Sequence, residues 1–280
     1  MFSCSNDKNS ADAYGNFETD EIIVSSEVNG KIIKFTAEEG DIIDSGEVIA
    51  IIDTTRYILD KEVLLKQKQL VSTKFKQIMA QIDVYKKQKE NLLFDKKRVE
   101  KLVNDGAAPQ KQLDDIINQI KVIDEQINAI KTQNNTTIKE VESIDAQTQK
   151  LNDLISRCKI KNPVNGTILE KYLEENELAV TGKPVYKVAG MDELYLRAYI
   201  TGNQLSSIKT GDTVKVYIDN ENDDLIEYDG IVTWISSQAE FTPKIIQTRE
   251  ERVKLVYAIK VKVKNDGKLK IGMPGEIKFN

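Results

Sequence analysis

The sequence predicts a multidomain α+β protein in which a long antiparallel coiled-coil α-hairpin is inserted into a split β sandwich, followed by a small β-barrel domain. Three observations predict this fold class. An apolar seven-residue repeat runs through residues 54–157, a stretch that contains one glycine and one proline. Two similar stretches of short strands flank that repeat, and alternating strands fill residues 191–280.

Length, charge and composition bound the function. The 280 residues suffice for two or three small domains, and a charged share of 30% suits long solvated helices. The net charge of -5 argues against a general nucleic-acid binder. The chain lacks histidine, the commonest general base and zinc ligand. No run of 18 apolar residues occurs, so no transmembrane helix is predicted.

Residues 1–20 are polar and aperiodic, which predicts a flexible N-terminal tail. Within it, Cys4 follows Met-Phe-Ser and opens into a polar stretch. This resembles the end of a bacterial lipoprotein signal, although the charged and apolar portions of such a signal are missing. We therefore expect Cys4 to be a lipid anchor; the alternative is an ordinary free cysteine in a disordered tail.

The two flanking strand-rich stretches are copies of each other. Residues 27–32 (Glu-Val-Asn-Gly-Lys-Ile) align with residues 163–168 (Pro-Val-Asn-Gly-Thr-Ile), and the offset of 136 gives seven identities in 27 ungapped positions. Each copy has about 30 residues, too few to bury a core alone. We therefore expect residues 21–54 and 159–190 to pack on each other as the two halves of one β sandwich.

Residues 55–158 carry the seven-residue repeat of a left-handed coiled coil. In the first arm the apolar positions are Tyr57, Leu64, Val71, Ile78, Tyr85, Leu92 and Val99, with Phe75, Ile82 and Val103 four residues on from members of this set. In the second arm they are Leu113, Ile116, Ile120, Ile123, Ile127, Ile130, Val141, Ile144, Leu151 and Ile155. Between the arms, Gly106 is expected to end one helix and Pro109 to begin the next.

The seam of this hairpin is interrupted by polar residues. Four lysines occupy core-type positions of the first arm, and two polar residues interrupt the second: Lys61, Lys68, Lys89, Lys96, Asn134 and Thr137. Such residues snorkel or set the register at some cost in stability. They could also indicate that further arms pack alongside in an oligomer.

After Ala189 the chain returns to short strands with two-residue alternation. Strands are predicted at residues 195–200, 213–218, 230–235 and 256–263, with a turn and a last strand within 267–277. Regular short strands of this kind predict a β-barrel domain over residues 191–280.

This domain order resembles the HlyD-type membrane fusion proteins, also called periplasmic adaptors, over about residues 20–280. The local strings that carry the resemblance are residues 163–168, the Glu-rich turns and residues 269–274 (Leu-Lys-Ile-Gly-Met-Pro). Residues 241–252 resemble the subgroup that serves ABC-type exporters. The resemblance implies that the split sandwich is a lipoyl-like domain and that the chain is not an enzyme.

The resemblance also implies partners and location. The expected function is a periplasmic adaptor subunit of a tripartite efflux or secretion system, linking an inner-membrane transporter, of the ABC type, to a TolC-type outer-membrane channel. Such adaptors form homo-oligomers, usually hexamers. The expected location is the periplasm of a Gram-negative bacterium, with a lipid anchor in the inner membrane.

The family contacts the channel through the hairpin tip, with an Arg, a Leu four residues on and a Ser seven residues beyond. Arg98 and Leu102 match this pattern, and Pro109 stands at the place of the serine. The resemblance thus implies Arg98, Leu102, Gly106 and Pro109 as the partner-binding tip. A serine could cap the second helix, whereas a proline suits its first turn. Alternatively, Arg98 is a solvated residue and Leu102 a packing residue.

The sequence lacks the motifs that the enzymatic alternatives require. A lipoyl or biotin carrier needs its modified lysine at the turn joining the two halves, but the hairpin replaces that turn and Lys61 falls within the helix. A hydrolase lacks a Gly-x-Ser-x-Gly element, and no nucleotide-binding P-loop is present. The paired carboxylates Glu38-Glu39 and Glu174-Glu175 are expected to be solvated turn residues. We expect no cofactor and no metal.

A structural coiled-coil scaffold of the envelope without a transport partner is the alternative that the hairpin alone does not exclude. The β domain at both ends of the hairpin and the lipoprotein-like start favour the adaptor.

Overall fold

The computed structural model describes residues 11–220, 224–241 and 255–279. The chain divides into two compact units, a helical unit of residues 53–159 and a β unit formed by the residues before and after it. Cys4, and residues 242–252 of the stretch that resembles the ABC-exporter subgroup, lie outside the described residues.

The strands of the β unit are short, and most are separated by turns. Those before the hairpin are β1 Ala13–Glu18, β2 Glu21–Ser25, β3 Gly30–Phe35, β4 Ile42–Ile43 and β5 Val48–Ile52. Those after it are β6 Lys159–Lys161, β7 Gly166–Lys171, β8 Leu178–Ala179, β9 Pro184–Ala189, β10 Glu193–Thr201, β11 Thr213–Asp219, β12 Leu225–Ile235, β13 Glu240–Phe241, β14 Leu255–Lys264 and β15 Pro274–Lys278. A 3₁₀ turn, Gln204–Ser207, follows β10.

Six antiparallel strands close into the predicted β-barrel. Their order is β10-β1-β15-β11-β12-β14, and β14 pairs back onto β10, so the sheet joins itself; β13 adds to β14. Alternate residues of these strands point inward and form one buried core that includes Phe17, Leu196, Val216, Val261 and Ile277. Closure leaves these six strands without a free sheet edge.

The tail predicted for residues 1–20 is wrong over β1. Ala13 and Phe17 are 2% and 1% exposed in the barrel core, and β1 pairs with β10 on one side and β15 on the other. Gly15 is required there because a Cβ would lie 2.0 Å from the Arg197 carbonyl oxygen. The barrel therefore includes a strand that lies outside the predicted domain of residues 191–280. The polar sequence of this segment does not by itself indicate a barrel strand.

Besides the barrel, the β unit has two four-stranded sheets, and both repeated halves contribute strands to each of them. The sheet orders are β2-β9-β7-β4 and β6-β5-β3-β8, so each sheet contains strands from both halves. The offset of 136 converts β3, β4 and β5 into β7, β8 and β9. It also converts the β4–β7 pairing of Ile42 with Thr167 into the β8–β3 pairing of Leu178 with Lys31. Neither half could form its sheets without the other.

The asparagine of each repeat, Asn29 or Asn165, accepts a hydrogen bond from the other half. The backbone N–H of Ser45 donates to Asn165 Oδ1 at 2.7 Å, and the backbone N–H of Thr181 donates to Asn29 Oδ1 at 2.8 Å. These two contacts are equivalent under the offset. The Val-Asn-Gly sequence thus recurs for a structural reason. Each asparagine accepts a hydrogen bond from a backbone N–H in a turn of the opposite half.

One lysine joins the two Glu-rich turns. Lys171 Nζ lies 3.0 Å from Glu38, 2.9 Å from Glu174 and 4.6 Å from the centre of the Phe35 ring. Burial alone would lower the pKa of Lys171, but hydrogen bonds to Glu174 and Glu38 raise it overall. The two glutamates are exposed turn residues as predicted, and they also hold an ammonium group whose side chain is 5% exposed.

The helical unit is an antiparallel hairpin of α1 Thr55–Asn104 and α2 Gln110–Arg157. At 1.5 Å per residue each helix is about 75 Å long. The predicted seam positions are buried or half-buried throughout, and a core cluster forms around Ile78, Ile82, Ile123 and Ile127. No helix among the described residues is long and apolar enough to cross a membrane.

Two of the seam lysines reach carboxylates on the opposite helix. Lys68 Nζ lies 2.5 Å from Asp145, and Lys89 Nζ lies 2.6 Å from Asp124. All four side chains are about one third to one half exposed. The lysine stems therefore lie along the seam while the charges meet at its margin, as expected of snorkelling lysines.

The two polar residues in the seam of α2, Asn134 and Thr137, make no side-chain hydrogen bond to α1 among the described residues. Thr137 is 2% exposed and its hydroxyl donates to the Gln133 carbonyl at 3.3 Å. Asn134 Oδ1 is buried without a hydrogen-bond partner among the described residues. This stretch therefore contributes less to the stability of the hairpin than the layers of isoleucine beside it.

Candidate functional site: the hairpin tip

The first helix ends in a Schellman motif. The Gly106 N–H donates to the Val103 carbonyl at 3.0 Å, and the Ala107 N–H donates to the Leu102 carbonyl at 2.7 Å. Gly106 has φ +70°, a conformation that costs glycine little and other residues more. The Asn-Asp-Gly sequence therefore ends α1 sharply, as predicted.

The second helix begins one residue later than Pro109. Pro109 has φ −75° and ψ 144°, which makes it the N-cap residue and not the first helical residue that was predicted. Its carbonyl accepts the Gln112 N–H at 3.0 Å, but its ring offers no side-chain cap. The φ of proline suits this extended position equally well, so the turn keeps its shape.

The two residues that match the family's tip pattern are exposed on α1. Arg98 is 66% exposed in its side chain, and its guanidinium lies 3.2 Å from Asp95, one turn earlier. Leu102 is 43% exposed, and its carbonyl, not its side chain, serves the Schellman motif. Both side chains are thus available for contact with another molecule.

A larger apolar residue lies close by, and the sequence reasoning missed it. Phe94 is 70% exposed and Leu93 is 46% exposed, about three turns before the end of α1. Neither occupies a position of the seven-residue repeat. The available signal was an aromatic residue outside that repeat, in a chain with few aromatic residues.

The two helices differ in charge. The first has thirteen Lys and Arg against six Asp and Glu, which gives +7; the second has six against eight, which gives −2. Seven of the basic residues of α1 lie within residues 86–101, against three acidic ones. The segment of α1 next to the tip is therefore a basic surface that also exposes apolar side chains.

Among the described residues no group of three or more Asp, Glu, Cys or His side chains is placed to hold a metal ion. Cys158, at the end of α2, is a buried free thiol whose pKa is raised by burial and by the nearby Asp53 carboxylate. Lys61 is half-buried within α1. At the tip, the two side chains that match the family's pattern, Arg98 and Leu102, are both exposed.

Comparison with known proteins shows similarity on two levels. No protein-family model matches the chain. The UPF0194 membrane protein YbhG of Salmonella gallinarum is 34% identical over 119 residues, which are 42% of this chain. The match spans 35% of that relative's length.

Solved structures match over almost the whole chain. MacA from Actinobacillus actinomycetemcomitans has a TM-score of 0.61 at 20% identity, covering 95% of this chain and 76% of its own. The membrane fusion protein Spr0693 from Streptococcus pneumoniae has 0.57 at 13%, covering 95% and 98%. The periplasmic adaptor protein EmrA has 0.51 at 18%, covering 96% and 98%. At these identities the similarity shows a shared fold.

Proposed function

We propose that this chain, which has the fold of the membrane fusion proteins, is an adaptor subunit of a tripartite efflux or secretion system in the bacterial envelope. It would link an inner-membrane transporter of the ABC type to an outer-membrane channel of the TolC type. The predicted resemblance to HlyD-type proteins is confirmed at the level of the fold.

One structural observation supports this function above others: a 50-residue helix and its 48-residue partner connect two halves of a β domain that are interlocked strand by strand. A catalytic carrier would need a short turn with a lysine at that connection. A hairpin of two helices, each about 75 Å long, instead carries its tip at the end of a long coiled coil. This arrangement suits mechanical coupling between partners.

Each part of the chain has a proposed role. The interlocked halves are a lipoyl-like domain, and copies of it form a ring of six in the periplasm of a Gram-negative bacterium. The barrel contacts the transporter. The tip residues Arg98, Leu102, Gly106 and Pro109 contact the channel. Energy for transport comes from the transporter, and this chain contributes contacts and geometry.

Attachment to the inner membrane through Cys4 belongs to this proposal. We expect the protein isolated from its native host to carry a diacylglyceryl group on Cys4, detected by intact-mass spectrometry, and the Cys4→Ser variant to leave the membrane fraction. Cys158 is a suitable matched control, because a buried thiol is not accessible for acylation. An unmodified Cys4 in membrane-bound protein would exclude the anchor.

The adaptor and scaffold functions differ in their partners. A photo-crosslinking residue placed at position 102, in the full chain and in the native host, is expected to form an adduct with an outer-membrane channel protein. An inner-membrane permease should co-purify after mild crosslinking. The same residue at Leu70, which is 73% exposed on α1, serves as a control away from the tip. Recovery of neither partner would favour a scaffold without a transport role.

A further inference from the structure

Phe94 has no packing role in the hairpin. Its side chain is 70% exposed, whereas the neighbouring seam residues Leu92 and Val99 are half-buried and buried. At roughly 100° per residue, Phe94 lies about 140° from Val99 around the helix, so it faces away from α2. A phenylalanine exposed to this extent gains little of the free energy that burial of its side chain would supply.

The same face of α1 carries the matched tip residues. Relative to Phe94, Arg98 lies about 40° and Leu102 about 80° around the helix, at rises of about 6 and 12 Å. The three side chains therefore form one continuous strip that leads from Phe94 to the turn at the tip.

Positive charge borders this strip. Lys97 and Lys101 lie within about 60° of Phe94, and neither has a carboxylate within ion-pairing distance among the described residues. Arg98 shares its charge with Asp95 at 3.2 Å. The strip of Phe94, Arg98 and Leu102 is thus bordered by two ammonium groups without a carboxylate partner among the described residues.

Resting on the proposed function, we propose that Phe94 is an apolar anchor of the surface that binds the outer-membrane channel, and that the channel receives it in an apolar cleft with an acidic rim. Charge complementarity selects this partner chemistry, because two unpaired lysines favour a surface rich in carboxylates. Aromatic anchors in desolvated pockets commonly dominate the affinity of an interface. Phe94 would supply the hydrophobic contact, and Lys97 and Lys101 the orientation.

This site extends the contact beyond the turn. Pro109 stands where the family's tip pattern has a serine, and its side chain offers no hydrogen bond at the tip. An anchor on α1 about 12 Å from Leu102, on the side away from the turn, would provide a contact that does not depend on a polar group at the turn. The channel contact would then lie along the basic outer face of α1, not at the turn alone.

The test uses the full chain and the host's channel protein. A photo-crosslinking residue at position 94 is expected to yield an adduct with the channel. Phe94→Ala should raise the Kd for the purified channel at least about tenfold, while Phe94→Leu stays within about threefold. Val84→Ala, at an α1 residue that is 56% exposed, is the matched control and should leave the Kd unchanged. Lys101→Glu should weaken binding and reduce its dependence on salt.

The outcomes separate this inference from the proposed function. An adduct at position 102 but not at 94, with normal binding by Phe94→Ala, would overturn the anchor and leave the adaptor function standing. Adducts at 94 with a second copy of this chain would assign the face to self-association and overturn the inference. No channel adduct at either position would reject both. Circular dichroism of each variant checks that the hairpin remains folded.

Discussion

Leu102→Asp is expected to abolish most export while leaving the hairpin folded. The side chain is 43% exposed, and the structural role of this residue at the tip is carried by its backbone carbonyl, which accepts the Ala107 N–H. A charge here therefore costs little stability, within about 0.5 kcal/mol. In an apolar contact with the channel the same charge would be desolvated without a partner, so export should fall at least about tenfold.

Export of the system's substrate and thermal unfolding should be measured on the same variant. Leu70→Asp is a matched control, since Leu70 is 73% exposed on the same helix about 48 Å from Leu102 along the axis. We expect that control to retain export. If the Leu102→Asp variant loses thermal stability in proportion to its loss of export, Leu102 has a packing role in the hairpin. The proposed contact between Leu102 and the channel would then be rejected.

Ile123→Asp is expected to be the most damaging substitution for the hairpin. Ile123 is 9% exposed in the cluster with Ile78, Ile82 and Ile127. Truncation of a buried isoleucine costs about 2–5 kcal/mol, and a carboxylate buried among apolar side chains adds a desolvation cost. Because the hairpin is one cooperative seam, we expect its backbone amides on both sides of residue 123 to lose protection from hydrogen exchange.

The adjacent residue provides the control. Val122 is 57% exposed and lies outside the seam, so Val122→Asp carries the same change of charge one position away. Hydrogen-exchange mass spectrometry resolves peptides of the helical unit separately from those of the β unit, which matters in a chain with two compact units. Similar loss of protection in both variants would mean that the seven-residue repeat does not define the seam.

The hairpin could be predicted from the sequence because its information is local. The repeat specifies which face of each helix is apolar, and Gly106 ends α1 through its own φ. The internal offset of 136 located the two halves for the same reason, since the turns that need asparagine and glycine recur in order. The resemblance to the family's tip pattern singled out Arg98 and Leu102, which lie four residues apart in one helix.

The remaining features depend on residues far apart in the chain. The strand β1 lies in a polar segment without the apolar alternation of the predicted strands, and it pairs with β10 on one side and β15 on the other. Lys171 meets Glu174 within its own half, but Glu38 belongs to the other half, so that second contact requires the two halves to pair. Phe94 became a candidate only when the seam had been assigned and left it exposed.

By itself, then, the sequence determined the domain order, the hairpin and the site of its tip, because periodicity and turn chemistry act over a few residues. Only the tertiary structure decided that the N-terminal segment completes the barrel, that the two β halves interlock, and which side chains of α1 remain exposed for a partner. The pairing of strands depends on contacts between distant segments, and the exposure of a side chain outside the seam depends on what packs against that face, so a local pattern leaves both open.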